Sequence, residues 1–370
     1  MCHAAPEAST AETNSVPQQP REPQSATPEP TQSGQGLLEF FGKVLDQLSL
    51  SAWLPATMLV GVGALLAQVS TQQEFDFAEA ISDLTELPLG VLLFIAFALI
   101  LATMTIQAFQ FEAIRTLEGY WGTSKLASLL SDVRIEAHAR RQERLVDREK
   151  KARRVTFTRA REEMLDRGVE RALIDILESD FWKTGTSSDV PDEKLEEARS
   201  MGWHIFAPPS TLRQVDSIRT KLKMYPERHR ILPTLLGNAL RSFEDQLVIA
   251  DGGDVQGFIL RNYDKVSPTL LVRQAQFRTR LDMYCTLVLV YGLLGFVSLP
   301  ALWHFVHWHL ASLAAFTLFA ALAAVSYAAA ISSARGYGIV LVAIDAQVTA
   351  ALQQADSGVI ASSESSSENA

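Results

Sequence analysis

The sequence predicts an all-α membrane protein: four transmembrane helices in two hairpins, with a mainly helical cytosolic domain inserted between them. Three observations carry that reading. The apolar residues, 48% of a 370-residue chain, gather into runs that lack any Asp, Glu, Lys or Arg, at residues 47–73, 87–111 and 283–334. Between the second and third runs, Gln110 to Leu281 holds 30 of the 33 Lys and Arg. The loops inside the two apolar pairs hold no Lys or Arg, the asymmetry expected when basic flanks stay on the cytoplasmic side.

Residues 1–35 are rich in Pro, Gln, Ser, Thr and Glu and have no apolar periodicity, so they predict a disordered, solvated tail. They also lack the basic start and apolar core of a cleaved secretory signal. Residues 36–111 follow as an amphipathic helix and the first hairpin. Leu37, Leu38, Phe40, Phe41, Val44, Leu45 and Leu48 recur at helical spacing, the pattern of a helix lying on a bilayer surface. Ser51 to Val69 is long enough for one span of a hydrocarbon layer of about 30 Å, and Leu87 to Phe111 supplies the second. Trp53 stands where an interfacial aromatic belongs, and the joining loop is purely acidic, with Glu74, Asp76, Glu79, Asp83 and Glu86.

The cytosolic block divides at composition changes. Residues 112–202 form a charged helical arm: Thr123 to Arg167 contains neither Gly nor Pro and predicts a long helix continuing from the second span. Arg134 to Arg171 has 13 basic and 8 acidic residues, whereas Ala172 to Ser200 has 3 and 8, so the two stretches have the charges to pair as an antiparallel hairpin. Residues 203–281 form a compact subdomain, with helices over Thr211 to Met224 and Ile231 to Leu247, a turn at Asp251 to Asp254, and a helix from Pro268 that runs into the third span. Residues 282–335 make the second hairpin, with spans near Met283 to Leu299 and Leu310 to Ser332 and a turn around Pro300. Residues 336–370 give a C-terminal helix and a disordered Ser-rich tail. Both termini and residues 112–281 are thereby expected on the cytoplasmic side of a cytoplasmic membrane.

LEGYW at Leu117 to Trp121 and LPTLLGN at Leu232 to Asn238, together with a Ser-Pro helix start leading into a second hairpin, resemble a group of actinobacterial-type integral membrane proteins that are themselves uncharacterised. The likeness covers the organisation from Leu37 to Val342 and implies four spans and a cytosolic domain; it implies no activity. The group carries Arg at the variable position of LPTxLGN, where this chain has Leu235, so no anion contact there is implied.

The chemistry-bearing residues are few. Glu118, Tyr120 and Trp121, with Asn238, Arg241, Glu244 and Asp245 on successive turns of the later helix, form the one candidate site, a juxtamembrane pocket if the two stretches meet. His304, His307 and His309 lack metal-ligand spacing and sit with Trp303 and Trp308 as an interfacial belt. Asp251 to Asp254 lacks the closing Glu of a calcium loop and is expected to be a turn. No phosphate loop, dinucleotide fingerprint, nucleophile elbow, HExxH or CxxC is present, so no catalytic residue, cofactor or metal is assigned. Uncharged spans argue against proton coupling or voltage sensing. The intermixed acids remove nucleic acid as a partner and leave anionic lipid for the basic face of the arm.

The expectation is a non-enzymatic scaffold or receptor that presents its cytosolic helices to a protein partner. Self-association is favoured by the pairs Gly61 with Gly63 and Gly292 with Gly295. The alternative is a membrane-embedded enzyme or small-molecule sensor built on the juxtamembrane pocket.

Overall fold

The computed structural model describes residues 50–71, 88–182, 192–247, 255–303 and 309–368. The N-terminal tail and amphipathic stretch, the acidic loop, the Asp251 to Asp254 turn and His304 to Trp308 lie outside the described residues. Among the described residues all regular structure is helical. The described α-helices are, in order, α1 (Leu50–Thr71), α2 (Leu89–Glu118), α3 (Lys125–Asp166), α4 (Arg171–Trp182), α5 (Asp192–Met201), α6 (Pro209–Leu222), α7 (Leu235–Glu244), α8 (Val255–Arg261), α9 (Pro268–Trp303) and α10 (His309–Glu368).

Four of these, α1, α2, α9 and α10, are long and apolar enough to cross a membrane. The shortest, α1, has 22 residues and extends about 33 Å at ~1.5 Å per residue, enough for a hydrocarbon layer of ~30 Å. Their outward faces invert the pattern of a water-soluble helix: Phe94, Phe97, Leu101, Met104, Phe109 and Phe111 on α2 are all more than half exposed. The hydroxyls of Thr57, Thr103, Thr105 and Thr317 bond the carbonyls four residues back, at 2.7–2.9 Å, so these polar groups are satisfied within their own helix.

α9 and α10 pack along one another, and α1 packs against α9 and α2. Val290, Leu294 and Phe319 centre one of the shared apolar clusters, with Met58, Leu59 and Val62 of α1 against it. Gly295 is occupied within the chain: a Cβ there would lie 3.4 Å from Phe319 and 3.5 Å from Phe316. Gly61, Gly63 and Gly292 have nothing within 4 Å of that position.

The sequence predicts that the long charged helix continues from the second span, and here the structure differs. α2 stops at Glu118, Gly119 turns left-handed at φ 105°, and its N–H closes onto the carbonyls of Arg115 and Thr116. α3 begins afresh at Lys125, where the Ser124 side chain accepts from the Ala127 N–H. A glycine in the left-handed region, where other residues are strained, is an ordinary helix stop. The Gly-free run only begins after it.

α3, α4 and the 3-10 turn that begins at Trp203, just after α5, then build an aromatic core. Phe157 stacks on Phe181 at 4.2 Å, and Trp203 meets both rings edge-on at 5.6 Å. Met164, Ile174 and Leu177 fill in around them, so apolar residues on both sides of position 202 share one cluster. The two stretches meet in Arg161 with Glu178 at 3.0 Å, in the sense that their net charges imply, and in Lys194 with Glu170, in the reverse sense. These pairs are largely exposed and contribute little; the rings carry the association.

α7 is a short wedge set between the end of α2 and the middle turns of α9 and α10. Leu236 and Ala239 are fully buried in a cluster with Leu281 and Cys285 of α9 and with Ala330, Ile331 and Ala334 of α10. Its first turn is satisfied from two directions: Thr234 caps the Gly237 N–H at 3.1 Å, and the Tyr327 hydroxyl of α10 accepts from the Leu236 N–H at 3.2 Å. Further along α10, Val340, Leu341, Ile344 and Val348 pack with Phe258 and Ile259 of α8 and with Val266.

Candidate functional site

Leu117 to Trp121 and Leu232 to Asn238 come together. The Thr234 hydroxyl that caps α7 donates to the Glu118 carbonyl at 2.8 Å, tying the end of α2 to the start of α7. Gly237 faces the same carbonyl so closely that a Cβ would fall 2.0 Å from it. A Cβ on Gly119 would fall 2.6 Å from the Pro233 ring. The two motifs thus meet first as a backbone joint.

Beside that joint opens a cavity of about 430 Å³, within the range of small-ligand sites. One wall is α2, which presents Phe111, Ile114, Arg115 and Glu118, with Tyr120 just beyond it. α7 adds Leu240, Phe243 and Glu244, and α9 adds Arg278, Leu281 and Asp282. α10 closes it with Tyr337, Gly338 and Leu341. The half-buried Glu118 has Glu244 as an acidic neighbour and Arg115 and Arg241 as basic ones. Arg115 lies 5.8 Å from the ring centres of both Phe111 and Tyr120, and Arg241 donates to the Tyr120 hydroxyl at 3.0 Å.

The seven residues singled out from sequence divide. Glu118, Tyr120 and Glu244 line the cavity, and Arg241 braces it through Tyr120. Trp121 does not line it; its indole donates to the Thr116 carbonyl at 2.8 Å and fastens the end of α2. Asn238 is fully buried as a bracket, its amide oxygen accepting from the Leu232 N–H at 2.7 Å and its amide nitrogen donating to the Leu232 carbonyl at 2.9 Å. Asp245 is taken up by Arg230 and by the Glu227 N–H, which donates at 3.0 Å. The physical reason is helical phase: residues on one short helix face different neighbours.

Six lining residues, from Arg278 to Leu341, escaped the sequence reading because they lie more than 150 positions from Glu118. Arg278 and Asp282, one helical turn apart at the start of an apolar run, and the Gly336-Tyr337-Gly338 triplet after another were the available signals. The triplet has a packing role: a Cβ on Gly336 would strike the Phe277 ring and one on Gly338 the Phe243 ring, at 2.3 and 2.2 Å.

Chemically the cavity offers three carboxylates, two guanidinium groups, two phenols and apolar surface, with no Ser, Thr, Cys, His or Lys in its lining. The nucleophile types it carries are carboxylates and phenols, not an aliphatic alcohol, a thiol or an amine. No grouping of three His, Cys, Asp or Glu that could hold a metal occurs among the described residues. Cys285 is buried in the apolar cluster. Compared with known families, curated proteins and solved structures, the chain matches none.

A second group of titratable residues lies where α3 docks. His138 Nδ1 is 3.3 Å from the Tyr225 hydroxyl, and Gln142 donates to the Pro226 carbonyl at 3.0 Å. Burial, with Arg134 and Arg141 nearby, holds the His138 imidazole below its ordinary value, while burial pushes the Tyr225 phenol up. His204, stacked on Trp203 at 4.0 Å, is likewise held low by burial and by Arg219 and Arg153.

Proposed function

We propose that the chain is a multi-pass receptor of the cytoplasmic membrane that binds a small ligand in the cavity between α2, α7, α9 and α10. One observation carries this reading: residues from four separate parts of the chain, Glu118 to Tyr337, converge on one cavity of about 430 Å³. The four spans form two hairpins, α1 with α2 and α9 with α10, and the helices between them are cytosolic. Support comes from the basic flanks Arg115, Lys125, Arg273, Arg278, Arg280 and Arg335, and from hairpin loops without Lys or Arg. Protease added to right-side-out vesicles should spare Arg140 to Arg161; cleavage there would reverse the topology.

The lining indicates the class of guest. Glu118, Glu244 and Asp282 suit an ammonium group, Arg115 and Arg278 suit an acid group, and Tyr120, Tyr337, Phe111 and Phe243 supply rings against which a cation is attracted. The ligand is therefore a small ammonium compound whose acid group, where it carries one, meets the arginines. Thermal unfolding of the purified protein in detergent, titrated with ethanolamine, glycine betaine and free amino acids, should show a shift with one of them that Glu118→Gln and Glu244→Gln abolish. A flat response to all three classes in the wild type would sink the proposal.

A second reading, a scaffold for a protein partner or for another copy of the chain, is favoured by the open groove between α3 and α6. Arg148, Lys151 and Lys221 line it with Gln214, Ser217 and Ile218, a surface suited to an acidic protein segment. Affinity capture from detergent extracts should return a stoichiometric partner that Lys151→Glu with Lys221→Glu releases. Repeated recovery of the protein alone would count against it.

A further inference from the structure

The first three turns of α3 carry an apolar stripe that nothing among the described residues covers. Leu126, Leu129, Leu130 and Val133 recur at the i, i+3, i+4, i+7 spacing of one helix face, and they are 75, 62, 58 and 60% exposed. At about 100° per residue this face lies opposite the one through which Ala139, Gln142 and Leu145 dock the same helix onto the rest of the protein. A single exposed leucine needs no explanation, but four in one stripe form a surface.

We propose that this stripe rests on the bilayer, with Lys125 to Val133 acting as an interfacial helix that sets the direction in which the charged arm leaves the membrane. The inference rests on the membrane reading above. Three features select lipid as the occupant. Only the six residues from Gly119 to Ser124 separate the stripe's helix from the end of α2, whose Phe109 and Phe111 are themselves exposed. That link carries Tyr120 and Trp121, residues at home in the headgroup region. The composition of α3 also changes along its length in the order that a bilayer gives way to water: Lys125 to Val133 holds one Lys and one Asp, and the dense charges begin at Arg134. A contact between copies would impose no such gradient.

The test uses the full chain in nanodiscs made with brominated phospholipid. A Cys2→Ser background, keeping the buried Cys285, receives one cysteine at a time for a fluorescent label: Leu129→Cys on the stripe, Ser128→Cys on the opposite side of the same turn, and Phe97→Cys on the exposed face of α2. Bromine should quench the labels at 97 and 129, and severalfold less the label at 128. Quenching at 97 with equal, weak quenching at 128 and 129 would overturn the interfacial helix while leaving the spans in place. An unquenched label at 97 would overturn the membrane reading and this inference with it. Disulfide formation between copies at Leu129→Cys, without quenching, would assign the stripe to a second copy instead.

Discussion

The joint between α2 and α7 and the core of the arm hold the molecule together by different means. The joint is a place where backbones touch: Gly237 against the Glu118 carbonyl, one threonine hydroxyl bridging two helix ends, and a buried asparagine bracketing Leu232. The arm is held by rings, Phe157, Phe181 and Trp203, with exposed ion pairs around them. A contact between backbones tolerates no added atom, whereas a ring core tolerates no missing one. The joint is also the element that positions the cavity, since Glu118 and Glu244 sit on the two helices it locks.

Removing a ring from the arm should give the largest effect. Phe157→Ala is expected to cost about 4 kcal/mol, in line with aromatic truncation in other cores. Because the arm and the joint share no cluster, hydrogen exchange should rise across α3 to α5 and stay unchanged at α7. Joint opening of both regions would show them to be one cooperative unit and erase the comparison. The converse variant is Gly237→Ala, which adds a methyl against a carbonyl that cannot swing aside; overpacking of this kind costs about 3 kcal/mol. Its exchange should rise at α7 and the end of α2, and the thermal shift with the cavity's ligand should disappear while the arm remains closed.

Residues that act locally were legible before any coordinates. A run without charge marks a span because charge in hydrocarbon is costly, and Pro268 opened α9 as its position implied. The break at Gly119 is also local, yet it hid behind the Gly-free stretch that follows. What could not be read is anything decided by distant neighbours. Glu244 and Asp245 are adjacent in sequence and both pair with Arg230, but only Glu244 also lines the cavity. Asn238 looks like a site residue by type and is a bracket by burial. The contributions of Arg278, Asp282 and Tyr337 depend on how α9 and α10 pass α7, which no spacing within either helix encodes.

Smaller effects separate hydrogen bonding from packing at the joint. Thr234→Val keeps the shape but loses both the cap on Gly237 and the bridge to Glu118, and should cost about 1.5 kcal/mol, a typical value for a lost cap with one further bond. Thr234→Ser retains the hydroxyl and should recover most of it, as read from thermal midpoints in one detergent. If valine and serine behaved alike, the bridge would be incidental to the contact.

The smallest effect expected is one of pH on the arm. His138 and His204 are held below the ordinary histidine value of 6.5 by burial and by nearby arginines. Above 6.5 both are neutral in the folded and unfolded chain, so their sites lose nothing. As the pH falls through 6.5 the unfolded chain binds protons that the folded arm resists, and stability drains away down to the lower folded values. Exchange rates compared at pH 7.5 and 5, corrected for the intrinsic pH dependence of exchange, should therefore show α3 loosening near Tyr225 in acid. His138→Asn should flatten that slope there and leave the one at Trp203 in place. An arm equally protected at both pH values would mean that the two imidazoles accept protons without leaving their partners.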